Sequence, residues 1–244
     1  MPAVQGLYYK AADHVDDVVS AWEMVYANYR RAELIDANRF RLHAPRQAFA
    51  PRTIVVTGRI STVVVTTLSA FVDGDAGLPL DEPFADTLDA MRRTGGTLLQ
   101  VGLFADRRRK LGRATEAMFQ LMRVVVAHAV SLKVSDVVIG VDASDGVHYA
   151  RVFGFEQAAG PRPCATLNQR PIQLMRLRLQ GGGATEGHDR RHAAVRYLLE
   201  NPVAPEQVAS PVDLSPEALA GTLPGEYWQW RFGDASQAVR EGAA

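Results

Sequence analysis

Apolar residues recur every three or four positions between His14 and Ala32. Val15, Val18, Val19, Trp22, Val25 and Tyr26 share one face with charges between them, which predicts an amphipathic helix. Thr53–Thr57 and Thr62–Phe71 are β-branched runs separated by Gly58-Arg59, which predicts a hairpin. The second run is apolar on both faces, as a central strand would be. Breakers at Gly74, Gly77 and Pro79 mark a loop, followed by a short helix over Pro83–Arg93 that stops at Gly95-Gly96. Thr97–Phe104 reads as a strand, and Gly102 inside it marks a bulge or a close approach by a ligand. A long helix over Thr115–Ser131 buries Met118, Leu121, Met122, Val125, Val126 and Ala129. Asp136–Val141 and Ile172–Leu179 read as strands, with a short helix over Gly146–Val152 and a Pro-rich loop around Pro161 and Pro163. His14 is placed to cap the first helix and Asp145 the helix at Gly146. Helices alternating with strands, some of them in hairpins, predict an α/β (α+β) fold with a mixed central sheet covered by helices.

Beyond Gly181-Gly182-Gly183 the pattern weakens. Ala193–Leu199 and Pro216–Leu223 read as short helices, and the residues from Ala235 as a frayed end. Glu226-Tyr227-Trp228-Gln229-Trp230-Arg231-Phe232 is too aromatic to hang in water, so it is expected to pack on the main domain or on a second copy of the chain. The glycine run divides the chain into a domain over 1–180 and an acidic, partly helical extension over 181–244.

Composition sharpens this picture. The 244 residues carry 27 Lys plus Arg against 27 Asp plus Glu, which offers no footprint for general nucleic-acid binding. The zero is a cancellation. Residues 1–180 hold 22 basic and 18 acidic side chains, and the remainder 5 and 9. The single cysteine, Cys164, excludes an internal disulfide framework and reads as a bystander. His188 and His192 stand four apart without a third ligand, so no metal site is expected. No run approaches the roughly 20 apolar residues of a membrane helix, and the N-terminus lacks a secretory pattern. A cytoplasmic protein is expected.

Between the strand at Gly102 and the long helix lies Arg107-Arg108-Arg109-Lys110-Leu111-Gly112-Arg113-Ala114. A helix N-terminus offers unpaired N–H groups and a positive dipole end. A glycine there lets a phosphate approach the backbone, and arginines add charge. In isolation such a run is more often a solvated loop; its position between strand and helix favours a pyrophosphate, a phosphopantetheine or an acidic carrier surface.

Arg109-Lys110-Leu111-Gly112-Arg113-Ala114 resembles the Arg/Gln-x-x-Gly-x-Gly/Ala pyrophosphate loop of the GNAT acyltransferases. Tyr149-Ala150-Arg151-Val152-Phe153-Gly154-Phe155-Glu156 is similar to their later Tyr…Gly-Phe motif, with one extra residue. That extra residue is a trait of the long-chain N-acyl amino acid synthases of the N-acyltyrosine synthase type. Gly77-Leu78-Pro79-Leu80-Asp81 resembles the Gly-Leu-Pro-Met/Leu-Asp loop of that branch. Ala21–Tyr29, Leu34–Asn38, Gln100–Ala105 and Val138–Asp142 match further segments in order. The resemblance covers about residues 12–179.

The resemblance implies a GNAT-like acyl-CoA N-acyltransferase fold whose bulged strand admits a pantetheine arm. The implied reaction moves a long acyl group from acyl carrier protein or acyl-CoA to the amine of an amino acid or similar small acceptor. No cofactor is tightly bound on this reading, the donor thioester being a co-substrate. Gln100, Val101, Gly102 and Leu103 would border the thioester, and Arg108, Arg109, Gly112, Arg113 and Ala114 would hold the phosphates. Tyr149 would protonate the leaving sulfur, with Asp142, Asp145 and His148 nearest to it in sequence as candidate bases. Gln100 stands where these synthases usually carry a glutamate, and Leu103 where they often carry an arginine. Asp142-Ala143-Ser144-Asp145 also stands where they carry His-Pro-x-His, and the departures at Gln100, Leu103 and Asp142 keep an alternative open: a catalytically degenerate GNAT-like domain that binds an acyl carrier or lipid as a scaffold. A homodimer is compatible with either reading.

Overall fold

The computed structural model describes residues 6–107, 111–179 and 190–241. Strands β1 (Leu7–Ala11), β2 (Ile54–Ile60), β3 (Val63–Val72), β4 (Leu98–Asp106), β5 (Asp136–Val141), β6 (Glu156–Cys164) and β7 (Arg170–Arg178) form one sheet in the order β1-β2-β3-β4-β5-β7-β6. Neighbours are antiparallel except β4 and β5, which run parallel. A parallel pair needs a crossover, and α3 (Leu111–Ser131) supplies it.

Helices cover both faces. On one lie α1 (Val15–Arg31), α2 (Asp81–Arg93) and the start of α6 (Leu223–Glu241), around Trp22, Phe49, Phe84, Leu88 and Tyr227. On the other lie α3, α4 (Ala143–Phe153) and α5 (Arg190–Glu200), around Leu121, Val125, Phe153 and Leu198. Side chains of β4 alternate between the cores until the bulge. Leu98 faces the first core and Leu99 and Val101 the second, yet Leu103 and Ala105 return to the first. Even and odd positions share a face only because the bulge inserts a residue and shifts the period-two pattern. Pairing with β3 confirms it: Thr67 opposes Ala105 and Ser69 opposes Gly102, so two residues of β4 stand against Leu68 alone.

The mixed sheet flanked by helices agrees with the expected fold. Several boundaries differ for physical reasons. The first hairpin turns at Ser61-Thr62, and Gly58-Arg59 is a register shift inside the strand. β1 and β6 were not anticipated; β6 carries Pro161 and Pro163, which an edge strand tolerates because its outer N–H side needs no partner. α3 begins at Leu111, four residues before the expected start at Thr115. α4 begins at Ala143, so Asp142 takes the N-cap position and Asp145 sits in the first turn. His14 occupies its N-cap without a side-chain cap bond. In the extension, turns replace the helix expected over Pro216–Leu223, and α6 carries the aromatic stretch and continues through Glu241. No helix among the described residues is long and apolar enough to cross a membrane.

Candidate active site

β4 and β5 pair from Leu98 opposite Asp136 to Val101 opposite Ile139, and then part. The bulge turns β4 away, with Leu103 in the left-handed region at φ 54°. A leucine there costs about 1 kcal/mol, a strain the surrounding sheet sustains. A cavity of about 400 Å3 opens at the parting, bordered by Gln100 to Leu103 of β4, Gly140 of β5 and Ile172 of β7. Its far walls come from the loop before α2, the segment from His43 to Gln47, and α6.

The Gly77–Asp81 loop is held in shape by backbone and carboxylate together. Gly77 has φ 63°, and a Cβ there would stand 2.5 Å from Oδ2 of Asp81. That same oxygen accepts the Leu78 N–H at 2.7 Å. Arg92 clamps the loop from behind, pairing with Asp73, Asp81 and Asp89 at 2.7, 2.9 and 2.7 Å. Gln100 closes the arrangement: its Oε1 accepts the Leu80 N–H at 2.8 Å in a buried position. The amide at 100 therefore positions the loop that walls the cavity.

Tyr29 of α1 and His43 meet on the cavity wall with ring centroids 5.3 Å apart. Burial pushes the Tyr29 hydroxyl well above the usual tyrosine range, and Tyr149 and Cys164 add to the rise. The Leu103 backbone opposes part of the rise. Burial, then the Arg231 guanidinium, lowers the His43 pKa to about 4, so its imidazole is neutral near pH 7. Sequence reasoning missed both residues. His43 reads as one polar residue among Arg41 and Arg46, and Tyr29 as the end of a helix face.

The remaining predicted residues distribute around this cavity. Tyr149 packs on the second core, stacked on Phe153 at 5.8 Å and edge-on to Phe155 at 6.0 Å, and it does not border the cavity. Burial first, and Asp145 second, push its pKa to about 12. Asp142 is held by Arg170, whose Nε stands 2.9 Å from Oδ1. His148 is exposed on α4, edge-on to Tyr149 at 6.1 Å. Gly112, Arg113 and Ala114 fall in the first turn of α3, where N–H groups lack intrahelical partners. Arg108 and Arg109 lie outside the described residues, as do the side chains of 111–114 and His188. Cys164, expected in a loop, ends β6 as a buried residue on the cavity wall, its thiol pKa raised by burial.

Residues 20–178 match the family model of the N-acyl amino acid synthase FeeM. Among solved structures, FeeM, an N-acyl amino acid synthase from uncultured soil microbes, is similar with a TM-score of 0.63 and 21% identity. That match covers 70% of this chain and 89% of the other. The AHL synthase LasI gives a TM-score of 0.56 at 9% identity, over 82% and 97% of the two chains. A mutant agmatine N-acetyltransferase in its apo form gives 0.54 at 13% identity, over 71% and 100%. No curated protein matches the sequence.

Proposed function

The chain belongs to the FeeM N-acyl amino acid synthase family and is an N-acyltransferase, and we propose that it moves an acyl group from a carrier-protein or coenzyme A thioester to the amine of an amino acid. The observation that carries this reading is the cavity at the parting of β4 and β5. A pantetheine arm entering between the two strands would present its thioester to the bulge.

The reaction forms a C–N bond and breaks a C–S bond. The amine loses a proton and the departing thiolate gains one. The Tyr29 hydroxyl, kept protonated by burial and standing with Leu103 on the cavity wall, would donate toward the thioester carbonyl, where charge develops. The resemblance offers Tyr149 as the acid for the thiolate; it is protonated at neutral pH but stands outside the cavity lining, packed on Phe153 and Phe155, so it would act through the parting of β4 and β5. His43, neutral and on the cavity wall, is placed to accept a hydrogen bond from the amine and orient it, though its lowered pKa makes it a weak base; His148 on the exposed face of α4 and Asp142 in its ion pair do not border the cavity. The first turn of α3, with Gly112, Arg113 and Ala114, together with Arg108 and Arg109, would take the donor's phosphates.

The test is transfer from acyl carrier protein and from acyl-CoA to a panel of amino acids, read by mass spectrometry of the N-acyl product. The expected result is product with at least one donor, and a kcat lowered about a hundredfold or more in Tyr149→Phe, the usual scale for losing a general acid. Carrier binding without product at any acyl length would overturn the enzyme reading in favour of a scaffold.

A further inference from the structure

α6 lies outside the residues that match the family, yet it walls the cavity with Tyr227, Arg231 and Phe232. Tyr227 anchors it: the hydroxyl donates to the Ala44 carbonyl at 3.0 Å and accepts the Ala44 N–H at 3.4 Å. This fixes the next turn of the helix, and hence Arg231, against the segment that carries His43. Arg231 is exposed at the cavity rim and makes no ion pair among the described residues.

The other charged groups of the cavity are differently placed. Asp81 is taken by Arg92, and Glu82 accepts the Ala165 N–H at 3.2 Å. Asp36 shares only the adjoining hollow with Arg231 and makes no ion pair with it. Arg46 is also exposed on the rim, but it also borders a second hollow behind Phe49, and His43 responds to Arg231 rather than to it. Arg231 and His43 border both the cavity and the adjoining hollow, and His43 meets Tyr29 at 5.3 Å on the wall that also carries Leu103. The body of the cavity beyond them is apolar, with Phe71, Leu80, Leu103 and Ile172.

We propose that Arg231 binds the carboxylate of the acceptor amino acid, so that α6 supplies the acceptor-specificity residue from outside the family-matched segment. The carboxylate and amine of an α-amino acid are separated by one carbon. A carboxylate held at Arg231 therefore sets the amine beside His43, facing a thioester carbonyl at Leu103. The planar guanidinium suits a carboxylate bidentately. Leu103 lies on the bulge itself and carries no charge, so it cannot perform this role. The inference rests on the acyltransferase reading.

The experiment compares an α-amino acid with its decarboxylated amine as acceptors, in the full chain and in Arg231→Met, Arg231→Lys and Arg46→Met. The ratio of kcat/KM between the two acceptors is expected to fall about tenfold or more in Arg231→Met, carried by KM, as loss of a charge-assisted hydrogen bond gives. It should fall less in Arg231→Lys and stay near its original value in Arg46→Met. An unchanged ratio in Arg231→Met, or the larger fall in Arg46→Met, overturns the assignment. Calorimetric titration with N-dodecanoylphenylalanine and with its primary amide separates the two levels of the argument. Tighter binding of the acid, lost in Arg231→Met, supports the carboxylate site even if no turnover occurs. Equal binding of acid and amide overturns it even if the enzyme is active.

Discussion

His43 concentrates the residue-scale argument because its charge state follows from where the chain places it. An exposed histidine titrates near 6.5, whereas this one is lowered to about 4 by burial and by Arg231. Between those values the unfolded chain binds a proton that the folded chain refuses. Stability therefore rises with pH through this window and is lost as pH falls from about 6.5 to about 4. The shift bounds the effect at up to about 3 kcal/mol. His128 is also lowered by burial and acts in the same direction. Urea unfolding from pH 7 down to pH 4.5 should show a falling midpoint, and His43→Gln should flatten that fall without abolishing it. An equal slope in the variant would mean that His43 is not held uncharged. The carboxylates Asp13 and Asp86, with lowered pKa values, act in the same direction in a more acidic window: their stabilisation is present above the ordinary carboxylate range and is lost as pH falls below it.

At the scale of elements, the cavity's shape depends on how closely β5, β7 and the loop before α2 approach one another. Gly140 is where they meet. A Cβ there would stand 2.6 Å from Cδ2 of Leu80 and 2.9 Å from Cδ1 of Ile172, both on the cavity wall. Those atoms are the ends of flexible side chains, so Gly140→Ala should displace them into the cavity rather than unfold the sheet. Competition among acyl donors should then shift toward shorter chains, with little change in melting temperature. An unchanged length preference would place the acyl chain elsewhere. Much of this architecture was legible in the sequence, and the pattern of success has a cause. α1, α3, β3, β5 and β7 announce themselves by apolar period, and Gly102 marked the bulge from its place in a strand. β1 and β6 stayed hidden because edge strands bury little: Tyr8 is exposed, and β6 combines two prolines with Gly160. That Gln100–Leu103 would border a thioester was implied by the resemblance rather than by local pattern, and these residues do line the cavity. Tyr29, His43 and Arg231 were not legible, because segments far apart in sequence bring them together and none has a local pattern pointing inward.

Across the whole molecule, the question is whether the residues beyond the glycine run behave as an appendage or as part of one cooperative structure. Leu214, Leu219 and Tyr227 are buried in the same cluster as Trp22, Leu42 and Phe49. The Val212 N–H also donates to the Ala12 carbonyl at 2.9 Å, tying the extension to the end of β1. Phe49 packs against Tyr227, Trp228 and Phe232 at centroid distances of 6.5, 6.5 and 6.2 Å. With this packing the extension supplies apolar surface that the main sheet's first face would otherwise expose. Tyr227→Ala removes a buried aromatic ring and leaves both polar groups of Ala44 without their partner, a loss of about 3–5 kcal/mol. Spread over a chain of this size, that is a fall of roughly 10 °C in Tm. Tyr227→Phe keeps the ring and loses only the hydroxyl's bonds, about 1 kcal/mol. Both variants should unfold in one transition by circular dichroism and by tryptophan fluorescence, with Trp22 and Trp228 reporting the same midpoint as the sheet. A separate early transition confined to fluorescence, with the sheet's midpoint unmoved, would show instead that the extension folds apart from the domain and that α6 closes the cavity only as a detachable cover.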